Sequence, residues 1–408
     1  MRSKWFVLAL LWIAFFTAYL DRVNITIAGP TLMKAFALTP QQFGFVLAAF
    51  TAGYALLQVP GGMLADRYGT KRMLVIALLI WSLFTGLTGL AASFTLLLVV
   101  RFLFGIGEGL ENGAHFRGLG DWFSSKERSG ASGIFHTALA LGPAIAAPIA
   151  AHILDVAGSK ALFLLFTIPG VVVAIVVAAF FPSGHAPEAE RRSEATPPAS
   201  GGWQDVLKKD PRVWCAFVTY LCFNVAFWGF LGWMPSYLNQ TRHIDLKALG
   251  NVASIPYYAG FVGLLVLGLL GRSIFYRFRP ALIGASYLLA GLGFFVAFRA
   301  DDVATSIAGL AGAAFFLYGG FGPFWAVVLD FIPEPFRAAF AGFVNFGGQI
   351  GGFFAPIVVG AIVTATKSYS GGFVFMIGAL VVAAASAFAL QQMQVRERRP
   401  LGTAATGA

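Results

Sequence analysis

Twelve apolar runs of about 20 residues, separated by short polar segments, fill this chain almost from end to end. A run of that length crosses a hydrocarbon layer of about 30 Å as one α-helix, which satisfies its own backbone hydrogen bonds where water is absent. The runs lie near residues 5 to 30, 43 to 64, 73 to 92, 95 to 118, 129 to 153, 161 to 182, 213 to 238, 248 to 270, 279 to 298, 304 to 329, 338 to 365 and 371 to 392. Only 11% of the 408 residues are charged and 58% are hydrophobic, against about 25% charged in a soluble domain. The expectation is an all-α membrane protein with twelve transmembrane helices. The first run follows Arg2 and Lys4 as a secretory signal does. Its length, the charged pair inside it and the lack of a small-residue cleavage site after a short core read as a retained helix.

Between Pro182 and Arg212 the apolar pattern stops and HAPEAERRSEATPPASGG supplies Pro, Ser, Gly, Glu and Arg. This divides the chain into an N-terminal six-helix bundle (1–182), a cytoplasmic linker (183–211), a C-terminal six-helix bundle (212–395) and a cytoplasmic tail (396–408). The halves repeat each other: Arg128, Gly133 and Gly142 recur at the same offsets as Arg337, Gly342 and Gly351, which pairs segments five and eleven. Two pseudo-symmetric bundles place a substrate site at the midplane between them. Most of the 28 Lys and Arg behind the net charge of +10 fall in loops on the side of the termini. That asymmetry puts both termini in the cytoplasm and explains the charge without a nucleic-acid partner. Cys215 and Cys222, seven apart on one apolar helix, read as packing residues, with neither a disulfide nor a metal site. No nucleophile–base arrangement, metal-ligand spacing or phosphate-cradling turn is present, so neither an enzyme nor a cofactor is expected.

Ionisable residues at membrane depth cost several kcal/mol (about 3 on insertion scales) unless paired or facing water, and so mark a transport path. Asp21 and Arg22 sit side by side inside segment one. Tyr19 and Arg22, three apart, share a helix face; Asp21 is turned about 100° from it, toward a neighbouring helix. In segment four Arg101, Gly105, Glu108, Asn112 and His115 recur at three- and four-residue steps and form one stripe, with Glu111 on its flank. The guanidinium of Arg22 never deprotonates and matches a carboxylate bidentately, which makes it the substrate anchor. Glu108 and Asp21 change charge, since burial favours the neutral carboxyl and a nearby Arg the ionised one. The alternative for the same residues is a fixed arginine–carboxylate lattice joining segments one and four.

The turn GMLADRYGTKR brings Asp66 to the end of one helix and Arg67, Lys71 and Arg72 to the start of the next, around Gly62 and Gly69. Such a cluster makes ion pairs in one conformation and releases them in another. It resembles the loop signature of the major facilitator superfamily, which implies gating roles for Gly62, Asp66, Arg67, Gly69 and Arg72. The equivalent loop GRSIFYRFRP keeps Arg272, Arg277 and Arg279 without the aspartate, so it must find other partners. YLDRVNITIAGPTL, FTAGYALLQVPGGMLADRYG, RFLFGIGEGLENGAHFRGLGDWF and WMPSYL are similar to the anion:cation symporter branch of that superfamily. The resemblance implies transport of an organic anion driven by protons. It gives Tyr54 a hydroxyl contact to the anion and makes Glu108 the principal proton site, Asp21 a second one and Arg101 the cation that biases them. Glu111 and His115 extend that proton-coupling set along segment four.

In the second half the cavity candidates are uncharged: Asn224, Trp228, Tyr257, Tyr258, Trp325, Asn345 and Gln349, the last two four apart on one helix face. His136 is the repeat-mate of Asn345 and joins the substrate-binding set. Leu139 and the run GGFGPFWAV stand where sugar-acid members carry polar groups, which points to an aromatic or short-chain carboxylate, since hydroxyls without partners are costly to bury. The expected function is a proton-coupled symporter of an organic anion by alternating access, a monomer in the lipid bilayer of the bacterial inner membrane. The alternatives are an anion exchanger or efflux antiporter of the same fold and, further off, a sugar-acid importer or a sensor that does not transport.

Overall fold

The computed structural model describes residues 4–182, 210–331 and 337–397. The linker and the tail lie, apart from their edges, outside them. Segment one is α1 (Lys4–Ile27), continued by the short α2 (Gly29–Ala35). Segment two is α3 (Pro40–Tyr68), started by a capping box in which Thr39 Oγ1 accepts from Gln42 N and Gln42 Oε1 accepts from Thr39 N. It stops at Gly69, whose φ of +86° suits only glycine and lets α4 (Thr70–Thr88) begin at once. Ser93 caps α5 (Phe94–Trp122), which is segment four. Segment five is split into α6 (Ser125–His136) and the start of α7 (Ala138–Phe180). Gly158, at φ +79°, turns α7 back across the membrane as segment six. The second half comprises α8 (Pro211–Gln240), α9 (Leu246–Arg272), α10 (Arg279–Arg299), α11 (Val303–Gly319), α12 (Phe321–Phe331), α13 (Arg337–Thr366) and α14 (Ser370–Glu397). Segment ten is thus broken at Gly320.

Ten helices among the described residues are long and apolar enough to cross a membrane. The one over Gly130–Phe180 holds two crossings, because it reverses at Gly158. The helix α5 misses that set through the ionisable residues it carries, and with both considered the crossings number twelve. Several helices overrun the expected segments by a few residues, because caps and polar end-turns extend past the last apolar side chain.

Packing repeats between the halves. In the first, α1 lies on α7, α3 on α5, and α4 on both α5 and α7; in the second, α8 lies on α13, α9 on α11, and α10 on both α11 and α14. The halves meet through α3 against α13 and α7 against α9. Small residues permit the tightest crossings. A Cβ on Gly53 would lie 2.0 Å from the Phe102 carbonyl oxygen, one on Gly105 2.1 Å from that of Phe50, and one on Gly263 1.9 Å from that of Phe315.

On the side away from the termini, here the far side, the halves are closed onto each other. A Cβ on Gly44 would lie 2.5 Å from the Pro356 carbonyl oxygen and one on Gly250 2.5 Å from that of Ala147. The Gln41 amide donates to Thr364 Oγ1 at 2.9 Å, and Phe43 meets Trp233 edge-on at 5.7 Å. On the side of the termini, the near side, Gly130, Gly133, Gly322 and Gly342 of segments five, ten and eleven have no such neighbour within 4 Å. Gly44→Val is therefore expected to drive the far side apart. A cysteine placed at Thr364 should react several-fold faster (about fivefold) with a membrane-impermeant maleimide in that variant; an unchanged rate would show that the contact does not hold this conformation.

Ion pairs tie the near side within each half. Lys4 bonds Glu127, joining the start of segment one to that of segment five. The Lys4 ammonium and the Ser124 hydroxyl hold the Glu127 carboxyl below its usual range. A carboxylate shifted down stabilises the fold above its unfolded value and loses that contribution only as pH falls through the lower one. Glu127→Gln should accordingly leave the pH dependence of thermal unfolding between about pH 6 and 8 unaltered, as a pH series of melting curves would show. Asp66 pairs with Arg117 of α5 at 3.5 Å, not with the cations of its own loop, while Arg67 stacks over Tyr68 at 5.3 Å, Arg72 is exposed and Gly62 lets Gly113 approach. In the second half the missing acid comes from the end of segment ten, where Asp330 Oδ2 accepts from Arg279 at 2.6 Å.

Candidate functional site

Segment one brings the charged pair to mid-membrane, where α1 faces both α5 and α8. The side chain of Arg22 is 5% exposed, and its Nε and Nη2 each lie 2.7 Å from Glu108 Oε2. Four rings surround the guanidinium: Tyr19 at 4.3 Å, Tyr54 at 5.2 Å, Phe50 at 5.3 Å and, from the second half, Trp228 at 5.8 Å. Aromatic faces hold a cation electrostatically without neutralising it, so Glu108 is the group that balances the guanidinium charge. Arg101, one turn from Phe104 and Gly105, is buried over Phe104 at 4.2 Å and near Phe50 at 5.6 Å; its Nε has no acceptor. A gap beside Thr26, Phe50, Trp228 and Pro356 is lined by both guanidinium side chains and by no carboxylate. It has room for a water-sized guest and little more.

Asp21 turns away from this gap. Its Oδ1 accepts from Asn24 Nδ2 at 3.2 Å, while Oδ2 is buried without a partner. The Thr85 hydroxyl and Trp81 indole of α4 face the carboxyl without closing a hydrogen bond, and Arg101 supplies the nearby positive charge. Farther along α5, Glu111 and His115 form a buried pair with Oε1 and Nδ1 3.2 Å apart.

The remaining candidates are distributed around this centre. Gly142 leaves room for Tyr19, since a Cβ there would lie 2.6 Å from Tyr19 Cβ. His136 ends α6; its Nδ1 lies 2.7 Å from the Ser132 carbonyl oxygen, which assigns the proton to Nδ1, and its ring meets Phe321 of the second half at 5.3 Å. Trp325 packs edge-on against Tyr220 at 5.1 Å. Asn224 donates to the Tyr220 carbonyl oxygen. Asn345 is half-buried on α13, and Gln349, one turn on, is buried with Oε1 unpartnered. Tyr257 is fully buried beside Phe230 inside the second half, and Tyr258 is 45% exposed on α9. Sequence reasoning passed over Phe50, Asn24, Trp81 and Thr85. Phe50 carried a signal, since it lies one turn before Tyr54 on the same face of α3.

The family model for the Major Facilitator Superfamily matches residues 11–356. The chain belongs to that superfamily. Among curated superfamily members, a probable sulfoacetate transporter of Cupriavidus necator is 32% identical, over 90% of this chain and 89% of its own length. The hexuronate transporter of Bacillus subtilis is 30% identical, over 94% of this chain and 93% of its own. A probable L-galactonate transporter of Escherichia coli is 27% identical over 88% and 83%. A solved structure, a bacterial homologue of the human lysosomal transporter Spinster in an inward-facing and occupied conformation, superposes with a TM-score of 0.78 over 98% of this chain and all of that one, at 18% identity. The protein is thus a multi-pass membrane transporter of the Major Facilitator Superfamily and not an enzyme.

Proposed function

We propose that this transporter carries a small organic anion, a carboxylate or sulfonate, in symport with protons, and that Arg22 is the anchor. The observation that carries the reading is the single contact between Arg22 and Glu108, because one guanidinium cannot serve two anions fully. Incoming substrate displaces the Glu108 carboxylate, and a carboxylate left buried without its cation takes up a proton. Binding and protonation are coupled at one ion pair. An exchanger needs no such competition.

Tyr19 and Tyr54 supply the hydroxyls nearest Arg22, while Phe50 and Trp228 present only apolar surface and an indole N–H. Relatives named for sulfoacetate and for hexuronate bracket the size of the cargo. The aromatic surroundings favour a compact or planar acid over a polyhydroxylated one. The bundles of residues 1–182 and 212–395 rock about the site in a monomer, with the near side and both termini in the cytoplasm of a bacterium.

The test is uptake into proteoliposomes of labelled sulfoacetate, glucuronate and benzoate. A gradient of about one pH unit supports about tenfold accumulation per proton. Glu108→Gln should abolish that accumulation and keep counterflow of internal for external anion. Uptake that depends strictly on internal anion, with no response to the gradient, would overturn symport.

A further inference from the structure

We propose that the buried Glu111–His115 pair is a second proton-carrying site, which passes protons between Glu108 and the near side. The inference rests on the symport reading above. Glu111 is 2% and His115 0% exposed; neither Glu111 Oε1 nor either ring nitrogen of His115 closes an aligned hydrogen bond, although the Leu11 main chain of α1 faces the ring. A tie that served only packing would leave fewer open groups, because each buried one costs free energy and gives nothing back.

The pair also lies on the line from Glu108 to the near side. Glu111 lies three residues beyond Glu108 and His115 four beyond Glu111, each step close to one helical turn toward the near side. The imidazole lies 5.5 Å from the ring of Phe15 and 4.9 Å from that of Phe135. Phe135 in turn meets His136, half-buried at the end of α6, at 5.2 Å. The titratable and charged groups facing the pair are Glu108 on its own helix, Asp21, Arg22 and Tyr19 from α1, Tyr54 from α3 and His136 from α6. Among these the only fixed cation is Arg22, which Glu108 engages. The pair therefore holds one proton of its own and has no permanent counter-charge to lock it.

The step balances. With that proton resting on Glu111, its O–H bond breaks as an N–H bond forms on His115 across the 3.2 Å between them, and the O–H bond of protonated Glu108 breaks as one forms on the emptied Glu111 carboxylate. The imidazolium then releases its N–H proton to near-side water, and the pair again holds one. No electron transfer or further reactant is involved.

Proteoliposomes with sulfoacetate, glucuronate and benzoate test this through Glu111→Gln, His115→Gln and the conservative Glu111→Asp. Both neutral variants are expected to keep counterflow within about twofold and to lose about tenfold in gradient-driven accumulation, with a flattened pH profile that Glu111→Asp restores. Accumulation and pH profile like those of the unmodified protein would overturn the proposal. So would equal loss of counterflow and accumulation without rescue by Glu111→Asp, the mark of a packing role. If the unmodified protein itself ignores the gradient, the symport reading fails and this inference with it. If Glu108→Gln alone uncouples transport, only the inference fails.

Discussion

Arg22→Gln is expected to abolish anion binding and flux while leaving the twelve-helix fold assembled. The substitution removes the donor pair that Glu108 Oε2 accepts from and leaves that carboxylate buried at 0% exposure. Breaking a buried pair by deleting one partner costs about 3–5 kcal/mol, so the single variant should melt well below the unmodified protein. The double variant Arg22→Gln/Glu108→Gln should recover most of that stability and none of the flux. Thermal unfolding separates the two effects from each other, and uptake at near-normal rate in the single variant would remove Arg22 from the anion's path. Arg22→Lys is expected to restore part of the binding only, since an ammonium is a point charge without the planar fork.

The second large effect concerns packing. Gly53 and Gly105 bring α3 and α5 together at the level of Phe50 and Tyr54, with would-be Cβ atoms 2.0 and 2.1 Å from main-chain oxygens. No side-chain rearrangement relieves a clash with backbone, so Gly105→Val should cost at least the 1–3 kcal/mol usual for overpacking (about 3 here) and shift the rings away from Arg22. Melting curves and anion-induced stabilisation of the purified variant check both consequences. Gly342→Val, at a position with open space around it, is the matched control and should melt within about 0.5 kcal/mol of the unmodified protein. Equal destabilisation of the two variants would contradict the crossing as the cause.

The crossings and the charged centre were legible in the sequence for separate reasons. Hydrophobic length reports a membrane helix directly, and the seven-residue spacing of Arg101, Glu108 and His115, two helical turns each, reports a shared face. Two kinds of feature stayed hidden. Asp330 lies some fifty residues from Arg279, and nothing local to either announces the pair. The ring set around Arg22 was obscured by abundance: among 42 phenylalanines, spacing alone does not separate Phe50 from those facing lipid. The breaks at Thr137 and Gly320 fall inside apolar runs, where hydropathy sees no interruption. The partner of Glu108 was also open, since Arg22 and Arg101 are both within reach in principle, and the side-chain geometry decides for Arg22.

The competition at Arg22 is tested most directly by proton exchange on binding, followed with a pH indicator in weakly buffered detergent solution as sulfoacetate, glucuronate or benzoate is added. The proposal predicts net proton uptake when an anion binds, strengthening of binding as pH falls, and no uptake in Glu108→Gln. Saturable binding that is independent of pH and moves no protons would contradict it.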